Sequence, residues 1–260
     1  MANWKLYLRD YAREGTRTGV NISNMENAVN GFDSMLAVTT ASPASITWDF
    51  GAGNTRTVRA LGLANHNMTG NGLQAQYSDN GSSWTTFINT GSLPSGDYIL
   101  DDGGAAETHR YFKAIWTGTA GLKFGGISLL SGATGHTIEL TECWPIFPIE
   151  GHLASEITQQ MTAAGNIIEQ RLGGSSRVFS LEIPSLQQGL AANEGLLDDA
   201  FLDESYDALG FLGPIWVIDD AGVEYHAQVQ RPIQWTLDRS GNRVRAVLTL
   251  RTIPHVGFYV

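Results

Sequence analysis

The sequence predicts a mainly β protein built from two units, with one helix in the second. Three observations carry this. Between Asn24 and Pro145, short segments of alternating apolar and polar residues recur about every 10 to 15 residues, with Gly, Asn, Ser and Thr between them. That spacing is the signature of a sandwich or jelly roll. The chain holds 30 Gly against 16 Lys+Arg, a composition rich in turns. Helical periodicity is convincing in one place, about residues 186–209. There Leu186, Leu190, Leu197 and Phe201 share a face, with Glu194, Asp198, Asp199 and Asp203 mostly opposite.

Residues 1–23 read as an N-terminal arm. Trp4, Leu6 and Leu8 alternate with Lys5, Tyr7 and Arg9, a strand pattern, and charged, Gly-containing sequence follows to Gly19. An arm cannot bury Trp4 and Leu6 by itself. They are candidate contacts with the body of the protein or with a neighbouring copy.

Residues 24–148 form the first globular unit. Its expected strands are Leu36–Thr39, Ser45–Phe50, Thr57–Ala64, Gly72–Ser78, Trp84–Ile88, Asp97–Leu100, Tyr111–Thr117, Gly125–Leu130 and His136–Cys143. In one hairpin, Leu73, Ala75 and Tyr77 alternate with Gln74, Gln76 and Ser78. Asp79-Asn80-Gly81-Ser82 then supplies turn chemistry, because Asn and Gly tolerate left-handed backbone. Trp84 opens the return strand.

Trp144-Pro145-Ile146-Phe147-Pro148-Ile149 breaks the pattern with two prolines, which oppose a helix or a central strand. This apolar boundary leads to the second unit, residues 149–260. Glu156–Leu172 reads as one strand, or two with a kink at Ala163-Ala164-Gly165. Gly173-Gly174-Ser175-Ser176 reads as a turn and Arg177–Ile183 as a strand. After the helix come Pro214–Asp219, Glu224–Trp235 and Arg243–Ile253, with a hairpin turn at Asp219-Asp220-Ala221-Gly222.

Composition excludes several functions. The net charge is −10 and basic runs are absent, which argues against nucleic acid, since phosphate binding needs clustered Lys and Arg. Cys143 is the single cysteine, so an intrachain disulfide cannot form. That suits assembly in a reducing cytoplasm. The N-terminus lacks the apolar core of a signal peptide. Apolar runs fall short of the roughly 20 residues of a membrane helix, so membrane insertion is not expected. The six histidines form no metal-binding pair, and nucleophile elbows and phosphate loops are lacking. Asp101-Asp102 and Asp219-Asp220 sit beside Gly in turn contexts, where Asp bonds locally. The chain is expected not to be an enzyme.

Five pieces in order over residues 24–145 resemble the discoidin-like, or coagulation-factor type C, group of galactose-binding-like jelly rolls. They are Asn27-Ala28-Val29-Asn30-Gly31-Phe32-Asp33, Ile46-Thr47-Trp48-Asp49-Phe50-Gly51, Val58–Leu63, Tyr77-Ser78-Asp79-Asn80-Gly81-Ser82-Ser83-Trp84, and Arg110-Tyr111-Phe112-Lys113. The resemblance implies ligand binding through loops at one end. Asn65, His66 and Asn67 are then the candidate sugar-binding residues. Asn30 and Asp33 stand where some relatives hold calcium, the one candidate cofactor, although calcium takes about six to eight oxygens. Trp48 and Trp84 fall on family core positions.

Residues 150–257 are similar, in order and composition alone, to the β-sandwich-plus-helix domains of bacteriophage tail-tube and distal-tail proteins. Together the resemblances imply a structural component of a phage tail, near its distal end, assembled in the host cytoplasm. Its C-terminal unit would form a ring with copies of itself and meet other tail proteins. The jelly roll would be displayed for adaptor or host-surface contacts. The alternative reading is a carbohydrate-binding module that recognises cell-surface glycans.

Overall fold

The computed structural model describes residues 4–7, 9–29, 35–101, 104–133, 137–140, 144–146, 152–161, 167–184, 215–219, 221–237 and 243–253. In chain order the strands are β1 (Trp4–Tyr7), β2 (Thr16–Val20), β3 (Ile22–Ser23), β4 (Ala37–Thr39), β5 (Ala44–Asp49), β6 (Arg56–His66), β7 (Gly72–Ser78), β8 (Thr85–Thr90), β9 (Tyr98–Leu100) and β10 (Glu107–His109). They continue with β11 (Tyr111–Thr117), β12 (Lys123–Ser131), β13 (Thr137–Leu140), β14 (Trp144–Ile146), β15 (His152–Met161), β16 (Ile167–Pro184), β17 (Ile215–Ile218), β18 (Glu224–Leu237) and β19 (Arg243–Thr252). A single 3-10 turn, Met25–Val29, is the helical element among the described residues. The helix expected at about 186–209 lies outside them.

Two antiparallel sheets make the expected sandwich. One has five strands in the order β2-β5-β11-β7-β8; the other runs β10-β6-β12-β4-β3, with β9 also on β6. Alternation decides which side chains face inward. On β5, Ala44, Ile46 and Trp48 are buried while Ser45, Thr47 and Asp49 are half-exposed. On β11, Phe112, Ala114 and Trp116 point in. They meet Leu61, Leu63, Phe124, Ile127 and Leu129 from the facing sheet in one continuous core. Trp48 is fully buried, and its Nε1 donates to the carbonyl of Ala12 at 2.9 Å.

Residues 9–19, the charged, Gly-containing part of the expected arm, are built into this sandwich. Tyr11 and Ala12 belong to the core, and Thr16–Val20 pairs with β5 along its length. Four of the five β2 residues are exposed, so the strand lacks the apolar alternation that would mark it in sequence.

The third sheet has eight strands, ordered β13-β1-β17-β18-β19-β16-β14, with β15 also on β16. It joins both ends of the chain to strands on either side of the proline-rich boundary. The expected turn at Gly173-Gly174-Ser175-Ser176 is not one. β16 runs through it, and the pairing shifts from Ala154↔Ser176 to Glu156↔Leu172. The glycines therefore absorb a bulge within a long strand. The hairpin turn after Ile218 does form: Gly222 N donates to the Asp219 carbonyl at 3.0 Å, and Asp219 Oδ1 accepts from Val223 N at 2.7 Å.

The third sheet docks on the six-stranded one through size complementarity. On β6, Leu61 and Leu63 point into the sandwich, which leaves Ala60, Gly62 and Ala64 outward. Their partners on β12 are Leu130, Ser128 and Gly126. Trp216 fills this shallow patch. A Cβ at Gly62 would lie 2.3 Å from its ring. Its Nε1 donates to Ser128 Oγ at 3.0 Å, and Tyr7 and Ile99 close the contact. The sandwich is thus covered on one outer face.

Candidate functional site

The other outer face, on the five-stranded sheet, has no described element over it. Strand register sets its side chains in rows. One row runs Thr18, Thr47, Lys113, Gln76, Thr86 across all five strands. The next runs Val20, Ser45, Ile115, Gln74, Asn89. Neighbouring strands lie about 4.8 Å apart, so each row spans roughly 19 Å. The face is a shallow strip, mostly of hydroxyls and amides, with Val20 and Ile115 among them and one central ammonium. Gln76 Nε2 donates to Thr86 Oγ1 at 3.2 Å.

An aromatic rim closes one end of the strip. Trp84 is half-exposed and not part of the core, contrary to its sequence assignment. The cause is a bulge. Gln76 pairs with Thr86, but Ala75 pairs with Ile88, so Phe87 is an extra residue in β8. One extra residue reverses the phase of the strand. Ile88 keeps its inward place, while Thr86, and Trp84 two residues before it, turn outward. The Trp84 ring meets Tyr111 edge-on at 6.4 Å, and Lys113 Nζ sits 3.5 Å from its centroid. The Arg110 guanidinium lies over the Tyr111 ring at 4.5 Å.

The turn before Trp84 is held by its own polar groups. Ser78 Oγ accepts from the N–H groups of Asn80 and Gly81 at 3.2 and 2.9 Å. Asn80 Oδ1 accepts from Ser82 N and Ser83 N, both at 2.8 Å. Gly81 has φ +70°, and a Cβ there would come within 3.3 Å of the Tyr111 ring. Glycine thus lets the turn close down on the aromatic rim. Beside it, His109 stacks on Tyr77 at 3.9 Å and its Nδ1 pairs with Asp79 Oδ1 at 2.8 Å.

Electrostatics single out Lys113. On this sheet Arg17 of the edge strand β2 pairs with Glu26 at 2.8 Å, and Arg110, just before the central strand β11, pairs with Asp49 at 2.7 Å. The Arg110 hydrogen bonds hold the Asp49 carboxyl below the usual carboxylate range. Lys113 has no carboxylate within ion-pair distance among the described residues. Partial burial lowers its pKa, because a desolvated ammonium is penalised.

The residues singled out by sequence fall elsewhere. Asn65 and His66 end β6 and are 2% and 6% exposed. Asn65 N donates to Asp97 Oδ1 at 3.1 Å, and His66 Nδ1 accepts from Met68 N at 3.1 Å. Asn67 is exposed, but its Oδ1 accepts from Lys123 N at 2.7 Å. Trp4 and Leu6, the candidate contacts with another copy, are 7% and 1% exposed within β1, which pairs with β13 and β17 of the same chain. Asn30 and Asp33 lie outside the described residues. Among the described residues, no group of three His, Cys, Asp or Glu could hold a metal ion. Lys113 and Gln76 were not singled out from sequence, yet the outward phase of Tyr111, Lys113 and Ile115 is visible in the alternation of Tyr111–Thr117.

No family model matches this chain, and no curated protein does. Solved structures do. Chitosan-binding module 1 of a chitosanase/glucanase from Paenibacillus sp. IK-5 superposes with a TM-score of 0.39 at 19% identity, over 46% of this chain and 97% of its own. CpGH89CBM32-6 of Clostridium perfringens gives 0.40 at 16%, over 48% and 100%. The CBM32 of AlyQ, in complex with 4,5-unsaturated mannuronic acid, gives 0.39 at 19%, over 45% and 95%. Each overlay leaves more than half of this chain uncovered. The strand order and register above define the sandwich independently of them.

Proposed function

We propose that this chain is a non-catalytic glycan-binding protein that reads saccharides on the outer face of its five-stranded sheet. The observation that carries this is Trp84. A large aromatic held half-exposed by a rigid turn, beside a second aromatic and a strip of amides and hydroxyls, offers the two things a sugar ring needs. The aromatic surface takes the apolar C–H face of a pyranose. Gln74, Gln76, Asn89, Thr47 and Thr86 supply donors and acceptors for its hydroxyls. The opposite sandwich face is filled by Trp216, so the third sheet serves as a platform that leaves this face open.

The test is a glycan array probed with the intact chain and with Trp84→Ala. The wild type is expected to mark at least one class of saccharide, and the variant to lose that signal while still unfolding in one cooperative transition. A blank array, or a variant that binds like wild type, overturns the reading.

A further inference from the structure

We infer that the face around Trp84 takes acidic saccharides, chains containing uronic acid, with the Lys113 ammonium meeting the sugar carboxylate. This rests on the glycan-binding reading above and narrows it to one chemical class.

Lys113 is the central residue of the polar row, with Thr47 and Gln76 as its neighbours on the flanking strands. In a chain of net charge −10, a cation flanked by neutral residues is unusual, since the sheet's two arginines are both engaged with carboxylates. Its ammonium is positioned by the Trp84 ring at 3.5 Å. That contact fixes the charge without neutralising it, because an aromatic face is a quadrupole and not a counter-ion. The ammonium thus faces no counter-ion in a partly desolvated setting. A carboxylate arriving there gains a charge-assisted hydrogen bond. The same sugar would place its ring against the half-exposed aromatic surface of Trp84 and Tyr111, and its hydroxyls along Gln76, Thr86 and Thr47.

The nearby acids do not cancel this charge. Asp49 is held in a two-pronged pair by Arg110 at 2.7 and 2.8 Å. Asp79, on the turn, points to His109. The overall negative charge still works against a polyanion at long range. Salt affects both terms, and the local contact governs at physiological ionic strength, where charges more than about 8 Å apart are screened.

The experiment is calorimetric titration of the intact chain with tetragalacturonate and with its methyl ester, which differ in charge and hardly in shape. Lys113→Met keeps the length of the side chain and removes its charge. The acid is expected to bind about tenfold tighter than the ester, the scale of one charge-assisted hydrogen bond. Lys113→Met is expected to close that gap by weakening the acid to the level of the ester, with a cooperative melting transition retained. Equal affinities for acid and ester, unaltered in the variant, overturn the inference and leave the glycan-binding reading standing. No binding of either compound, with the array positive for neutral chains, also overturns the inference alone. With the array blank as well, both fail.

Discussion

Two tryptophans of the five-stranded sheet, Trp48 on β5 and Trp84 just before β8, have opposite fates, and the difference is measurable. Trp48 is fully buried and its indole N–H is bonded to the Ala12 carbonyl. Truncating it leaves a cavity and removes the shorter of the two hydrogen bonds to that carbonyl, the other coming from Arg17 at 3.4 Å. Trp48→Ala is expected to cost about 3–5 kcal/mol in a denaturant titration. Trp84 rests on the sheet surface against Tyr111 and Lys113. Its loss forfeits part of one aromatic pair and one cation–π contact, about 1 kcal/mol for each. Trp84→Ala is therefore expected to lower stability by about 1–2 kcal/mol, well short of Trp48→Ala. Equal losses for the two variants would return Trp84 to the core.

At the scale of elements, docking of the third sheet turns on a patch of small residues and on a carboxyl beside it. Glu224 opens β18 and reaches back to the sandwich, where its Oε2 accepts from the N–H of Ile99 on β9. Burial, with Asp97 nearby, pushes its pKa up to about 7. The folded chain thus holds this proton more tightly than the unfolded one. The stabilisation is complete below the ordinary glutamate range and is lost as pH rises through about 7. Melting temperature is expected to fall between pH 5 and 8 more steeply in the wild type than in Glu224→Gln. Parallel profiles for the two proteins would show that Glu224 ionises freely. The same contact region gathers Tyr7, Lys5 and Arg59 on the Asp101 carboxylate at 3.0, 3.6 and 2.8 Å. Asp101 thus ties β1 to β6, a role beyond the local turn bonding expected of it.

The hairpin β7–β8 shows how much of this was legible beforehand. The bounds of β7 and of β11 follow from alternation alone, because each has one face in the core and one in solvent. The turn chemistry of Asp79–Ser82 was equally plain. The phase of Trp84 was not, because a bulge leaves no local mark: Phe87 differs from its neighbours in pairing and not in composition. β2 was hidden for another reason. An edge strand with little buried surface has no apolar alternation to read. The outward Ala60, Gly62 and Ala64 on β6 were visible, but their purpose depends on Trp216, more than 150 residues away in sequence.

Across the whole molecule the layers assign the faces. The six-stranded sheet is buried between the five-stranded sheet and the C-terminal one, so its outer surface is spent on Trp216 and Tyr7. The five-stranded sheet keeps its outer surface for something else. That division separates a sheet-face site from the loop-end site that the family resemblance implied at Asn65, His66 and Asn67. Resonance assignment of the intact chain followed by titration with tetragalacturonate distinguishes the two directly. The account predicts shifts in the Trp84 indole N–H, the side-chain amides of Gln74 and Gln76, and the backbone of residues 111–115, with residues 65–71 unmoved. Shifts gathered at residues 65–71, with Trp84 and the two glutamines still, would contradict it.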